Sequence, residues 1–138
     1  MKFTVVFSIL AAGGLAFGQA NTVSFDQTFD NAAGSLNTVS CSNGPNGLEN
    51  LGFTTFGSLP NFPFIGGAPA VTGFGSAACG TCWALTFNGK TINVLAIDHS
   101  TSFNIALEAM NVLTNNQAEF LGRVTVTSKQ VDASECGL

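Results

Sequence analysis

The chain has 138 residues, 46% hydrophobic and only 9% charged. That fits one domain and excludes a disordered chain, in which hydrophobicity is low and charge high. Four Lys and Arg against eight Asp and Glu give a net charge of −4, so no basic patch for nucleic acid can be assembled.

Met1-Lys2 precedes an apolar run from Phe3 to Phe17, and small residues follow. A positive start, a short apolar stretch and small residues predict a secretory leader over residues 1–18, removed from the mature protein. Ala16 and Gly18 suit cleavage after Gly18; Gly18 and Ala20 suit cleavage after Ala20. The run is shorter than the roughly 20 apolar residues a membrane span needs. Residues 19–138 then form a single domain, exported from the cell. It contains no Asn-x-Ser/Thr acceptor for N-glycosylation.

A strand is expected around Val23 to Phe29, and a second near Leu36 to Val39. From Ser40 to Gly75 turn signals dominate: Asn43-Gly44-Pro45-Asn46-Gly47, Leu59-Pro60, Phe62-Pro63 and Ile65-Gly66-Gly67. Phe53, Phe56, Phe62, Phe64 and Phe74 give this stretch the means to anchor itself to a core. A short helical turn is expected near Gly47 to Leu51. Trp83 to Phe87 alternates, with Trp83, Leu85 and Phe87 on one face. Asn88-Gly89 is a strong hairpin signal, and Thr91 to Asp98 is the partner strand. Ser102 or Thr101 is the expected cap of a helix whose stripe is Phe103, Ala106, Leu107, Met110 and Leu113. Asn115-Asn116 stops it. Arg123 to Thr127 alternates again. The sum is a mostly β domain, best accommodated as a small closed barrel with one packed helix.

Cys41, Cys79, Cys82 and Cys136 are an even count in a small exported chain, which predicts two disulfides with three pairings open. Cys79-Gly80-Thr81-Cys82 is followed by a strand rather than the helix of a redox motif. His99 is the single His, too little for a zinc site. No metal and no cofactor are expected.

Asp98 is the acid with an informative context, at the end of a strand and before His99-Ser100-Thr101-Ser102. Alternation puts it on the face of Val94 and Ala96, at a barrel mouth. Two roles fit: an acceptor of loop N–H groups, as turn aspartates often are, or a hydrogen-bonding group in a binding groove. Glycoside hydrolysis needs two carboxyl groups about 5–10 Å apart, and no other acid is marked by its context as a partner.

Asp26-Gln27-Thr28-Phe29-Asp30-Asn31, Ser35-Leu36-Asn37-Thr38-Val39, Gly52 to Pro60, Cys79-Gly80-Thr81-Cys82-Trp83 and Val94-Leu95-Ala96-Ile97-Asp98 together resemble the cerato-platanin family of small secreted fungal proteins. The resemblance runs from about Thr22 to Leu138. It implies a six-stranded double-ψ β-barrel with short helices, similar to the first domain of expansins. It also implies the pairings Cys41–Cys79 and Cys82–Cys136. It implies binding of chitin and N-acetylglucosamine oligomers, loosening of cellulose without hydrolysis, elicitation of plant defence through a plant receptor, and self-assembly at surfaces. On that resemblance Asp98 belongs to a shallow groove with Ser100 and Asn104, and Phe53 and Phe74 are candidate stacking faces. The chain has no Tyr: Phe25, Phe29 and Phe53 stand where many members carry Tyr, and Phe74 where many carry Trp. Phe keeps the packing face and loses the polar tip. The expected protein is therefore a non-enzymatic binder of neutral cell-wall polysaccharide, secreted and wall-associated, monomeric or assembled at surfaces. A surface-active protein with exposed Phe in the 53–74 loops is the alternative, and a weak glycosidase the third.

Overall fold

A computed structural model describes residues 18–138; residues 1–17, the greater part of the expected leader, lie outside the described region. Six strands, β1 (Gln19–Phe25), β2 (Ile65–Ala68), β3 (Cys82–Phe87), β4 (Lys90–His99), β5 (Phe103–Ile105) and β6 (Arg123–Val131), close in the order β1-β5-β2-β4-β3-β6. β1 with β5 and β2 with β4 are parallel, while the other four pairs are antiparallel. This is the double-ψ barrel the resemblance implied. Two short helices, α1 (Leu107–Thr114) and α2 (Ala118–Leu121), and several single 3₁₀ turns complete it.

The barrel interior is filled by alternate residues of each strand. Val23, Leu85, Ile92, Val94, Phe103, Ile105, Val124 and Val126 are all buried. Each such side chain contributes about 1.5–3 kcal/mol relative to exposure. Asn88 and Gly89 join β3 to β4 with φ of 48° and 80°, the two left-handed residues of a tight hairpin. β4 is buried on its outer face too, at Leu95 and Ile97. The segment 31–81 covers it: Cys41 N–H donates to Ile97 O at 3.1 Å and Gly80 N–H to Ala96 O at 2.9 Å. Leu36, Leu48, Phe56 and Leu59 bury themselves in this irregular layer. Cys41–Cys79 staples the layer to itself, and Cys82–Cys136 fastens the C-terminus to β3. Each bridge contributes roughly 2–4 kcal/mol, chiefly by restricting the unfolded chain.

Three expectations need correction. The stretch around Leu36 is a 3₁₀ turn, Leu36–Thr38, because the Ser35 hydroxyl accepts from Asn37 N–H at 3.1 Å and draws the backbone out of a ladder. The first strand ends at Phe25, and Asp26 caps a 3₁₀ turn over Gln27–Asp30. The helix starts at Leu107, since Phe103–Ile105 are taken as β5 by β1 and β2. Neither Thr101 nor Ser102 caps it. Asp30 does so, 77 residues away, accepting from Leu107 N–H at 2.8 Å and Glu108 N–H at 2.9 Å. Asn115, at φ 58°, ends the helix as expected.

β2 carries a tight packing constraint within the barrel. A Cβ on Gly66 would lie 2.3 Å from Asn104 O and 2.7 Å from Ile105 Cα, both backbone. A Cβ on Gly67 would lie 2.8 Å from Ser100 Cβ. Gly66→Ala is therefore expected to destabilise by about 1–3 kcal/mol or more, the cost of overpacking against atoms that cannot yield. Gly67→Ala should cost less and act by displacing Ser100. Asp30→Ala should lose about 1–2 kcal/mol and Asp30→Asn a smaller part of it. Urea denaturation of the four variants checks these expectations.

Candidate functional site

The end of β4 meets β2 at an irregularity. Gly66 pairs with Ala96, but Gly67 pairs with Asp98, so Ile97 is the extra residue of a bulge. Bulges re-aim side chains, and strict alternation fails at Asp98 for this reason. Its carboxylate turns to the covering layer: Oδ1 accepts from Ser40 N–H at 3.0 Å and from His99 N–H at 2.9 Å. The turn-acceptor role is thus occupied. Oδ2 has no protein donor among the described residues.

Pairing extends the row. Gly67 is also opposite Asn104 on β5, Asn104 is beside Ser24 on β1, and Ser24 is opposite Arg123 on β6. Ser24 Oγ donates to Asn104 Oδ1 at 3.1 Å, and the Asn104 amide NH₂ has no protein acceptor among the described residues. Arg123 Nη1 donates to Thr22 Oγ1 at 3.0 Å and Ser102 Oγ at 2.8 Å. Ser100 stands against Gly67, where only a glycine leaves it room. Asp98, Ser100 and Asn104 are therefore brought together around one glycine. The row offers a carboxylate oxygen, an amide and hydroxyls, a palette for hydrogen bonding to neutral polyhydroxyl groups. It holds no second carboxyl group.

Phe53 and Phe74 are not part of this row. Phe53 is half-buried and packed against the core. Phe74 is 63% exposed, with its ring over Gly44, whose own Cβ would fall 2.4 Å from Phe74 Cζ. His99 Nδ1 lies 2.7 Å from Val71 O. A carbonyl can only accept, so this nitrogen carries the proton and ties the segment after β2 to the end of β4. Among the described residues no group of three His, Cys, Asp or Glu is placed to hold a metal ion. No described helix is long and apolar enough to cross a membrane.

Sequence reasoning missed Gly67, Ser24 and Arg123. Gly66-Gly67 reads as a loop, and the other two enter the row only through long-range pairing.

The comparisons agree with this architecture. A family model described as cerato-platanin matches residues 21–138. The heat-stable 19 kDa antigen of Coccidioides immitis is 44% identical, over 100% of this chain and 99% of its own length. The crystal structure of cerato-platanin 2 from M. perniciosa superimposes with a TM-score of 0.81 at 51% identity, covering 86% of this chain and 99% of that one. The solution structure of the fungal elicitor cerato-platanin gives 0.74 at 38% identity, covering 83% and 95%. An expansin from Clavibacter michiganensis shares the fold alone, with 0.55 at 17% identity over 83% of this chain and 50% of the expansin. A barrel closed through a two-glycine strand, two bridges in the implied pairing and a match over residues 21–138 make this chain a member of the cerato-platanin family.

Proposed function

We propose that the chain is a secreted, non-catalytic carbohydrate-binding protein. It takes chitin or N-acetylglucosamine oligomers on the polar row at the end of β4, loosens cell-wall polysaccharide in the manner of expansins, and elicits plant defence. The observation that carries this reading is the state of Asp98: one oxygen pinned by two backbone N–H groups, the other left to accept, and amide and hydroxyl neighbours in place of a second acid. Hydrolysis needs a carboxyl pair, whereas competing for hydrogen bonds between polysaccharide strands needs an acceptor. Two disulfides fit an oxidising, extracellular setting. The elicitor role leans on the relative whose title carries that word.

A second reading rests on exposed apolar side chains. Phe120 is 87% exposed, Phe74 63% and Leu51 62%. Phe56 is buried, and Phe53, Phe62 and Phe64 are half-buried, so the expected patch of the 53–74 loops reduces to Phe74. A surface-active protein recognised by a host receptor would use Phe74 and Phe120 rather than the row.

The deciding experiment is retention of the mature protein on insoluble chitin and cellulose, with reducing ends assayed in the same tubes. Retention with no new reducing ends is expected. Asp98→Asn keeps an Oδ1 acceptor for Ser40 and His99, so it should fold normally and lose retention by about tenfold, some 1.4 kcal/mol. Undiminished retention of Asp98→Asn removes Asp98 from the binding role. Reducing ends released by the natural protein and absent in Asp98→Asn establish a glycosidase. Film or foam formation that survives Asp98→Asn, without polysaccharide retention, favours the second reading.

A further inference from the structure

The end of the barrel that carries Asp98 also has an open mouth, and the two are separated by the segment 69–71, held through Val71 O by His99 Nδ1. Trp83, the sole tryptophan, sits in this mouth. It is half-buried, its ring centroid is 5.8 Å from that of Phe103 at 58°, and its indole N–H donates to Thr81 Oγ1 at 2.8 Å. With the N–H satisfied and the ring braced, what the indole offers a ligand is its apolar surface. One depression of about 260 Å³ lies between Trp83, Phe103, Asn21 and Pro69. A second, of about 250 Å³, adjoins it across Trp83, Gln19 and Ser128 and is bordered by Lys129 and Gln130. A third, of about 240 Å³, continues past Lys129 to the hydroxyls of Thr127 and Thr86. None of the three is lined by Asp98, Ser100 or Asn104.

We infer that this track is a second carbohydrate contact, in which Trp83 is the stacking platform for one ring of a linear, neutral oligosaccharide and the flanking depressions take its neighbours. The inference rests on the carbohydrate-binding reading above and names a site for it independent of Asp98. Three features select such a ligand. The electron-rich face of an aromatic ring attracts the polarised C–H face of a sugar. The rim is made of amides and hydroxyls: Asn21 Nδ2 donates to Ser128 Oγ at 2.7 Å, which leaves Asn21 Oδ1 to accept from a ligand, and Gln130 is opposite Trp83 in the β3–β6 register and exposed. Lys129 is the one charged side chain lining the second and third depressions, the first has none, and none of the three is lined by an acid, so a cationic ligand finds nothing to pair with. Each depression falls just below the usual size of a small-molecule site, about 300–1,000 Å³, and they are joined end to end, which suits an extended chain better than a compact ligand. Loss of the leader after Gly18 takes Gly18 from the second and third depressions, and loss after Ala20 also takes Gln19 from the first and second; Trp83, Asn21, Ser128, Lys129 and Gln130 stay in place at either bond.

The chain has one Trp and no Tyr, so indole emission reports on this mouth alone. The experiment titrates the mature protein with chito-oligosaccharides and cello-oligosaccharides, following Trp83 emission and calorimetric heat in parallel. A saturable change in Trp83 emission is expected over the concentration range in which heat is evolved. Trp83→Leu should weaken calorimetric affinity by about tenfold or more. Because that substitution also disturbs Phe103, Lys129→Ala and Gln130→Ala test the track from exposed positions, and each is expected to weaken binding several-fold. Heat of binding with a silent Trp83, and with both exposed variants binding as the natural protein does, overturns the track and leaves the carbohydrate-binding reading standing. No heat with any oligosaccharide overturns that reading and the track with it.

Discussion

The barrel depends on how closely β2 approaches β5. Four residues form β2, all of them buried, and the two in its middle are glycines. Antiparallel contact with β5 and parallel contact with β4 are both made through those residues. With backbone atoms of Asn104 and Ile105 where a Gly66 Cβ would stand, no other residue lets the sheet close at that spacing. Closure in turn removes every free edge. It also creates the geometry of the Asp98 row, because Gly67 is the residue that Asp98 and Asn104 share. A constraint of packing and a candidate binding surface thus rest on adjacent residues of the same strand.

The charged groups show how a chain with so few of them uses what it has. Asp26 caps the turn at Gln27, Asp30 caps α1, and Asp132 caps the turn over Ala133–Cys136. Ser134 holds the Asp132 carboxyl below its ordinary value of 3.8, first through its backbone N–H and then through its hydroxyl. A carboxyl with a lowered folded pKa stabilises fully above its unfolded value, and that contribution fades as pH falls through the lower one. The cap next to the Cys82–Cys136 bridge therefore persists at every pH above the ordinary carboxylate range. Acids committed to backbone N–H groups are unavailable for acid–base chemistry, which is one reason the proposed role is binding.

Legibility in the sequence followed the range of the interactions. The β3–β4 hairpin and β6 were readable because alternation and Asn88-Gly89 are local signals. The stripe Ala106, Leu107, Met110 and Leu113 gave α1, but Phe103 fits that stripe as well as it fits a strand. Only pairing with β1, 80 residues distant between Ser24 and Asn104, decides it. β2 was illegible since two glycines leave no periodicity to read. Asp98 stood out through its place at the end of an apolar strand. The row around it was legible only in part: Ser100 and Asn104 came with the resemblance, whereas Gly67, Ser24 and Arg123 reach it by non-local pairing, and the bulge at Ile97 reversed the face that alternation assigned. The disulfide pairing came from resemblance, because spacing alone leaves three choices equal.

Two uses of Asp98 that are rivals in the sequence call on different oxygens, the proposed binding role on Oδ2. Oδ1 is held by Ser40 and His99, a structural role complete in itself. That same pinning fixes the side chain, so in the proposed binding role Oδ2 would meet a ligand with its rotamer entropy already lost. Asn104 is placed likewise, its Oδ1 engaged by Ser24 and its NH₂ without a protein acceptor among the described residues. Ordering a free polar side chain at an interface costs about 0.5–1.5 kcal/mol, comparable to the net gain from a single hydrogen bond of about 0.5–1.5 kcal/mol. On a shallow surface with few contacts, that cost would cancel most of the binding. Pre-ordering by the fold is what would let a handful of polar groups hold a flexible polymer, and here the loop layer that supplies Ser40 is itself fixed by the Cys41–Cys79 bridge immediately beside it.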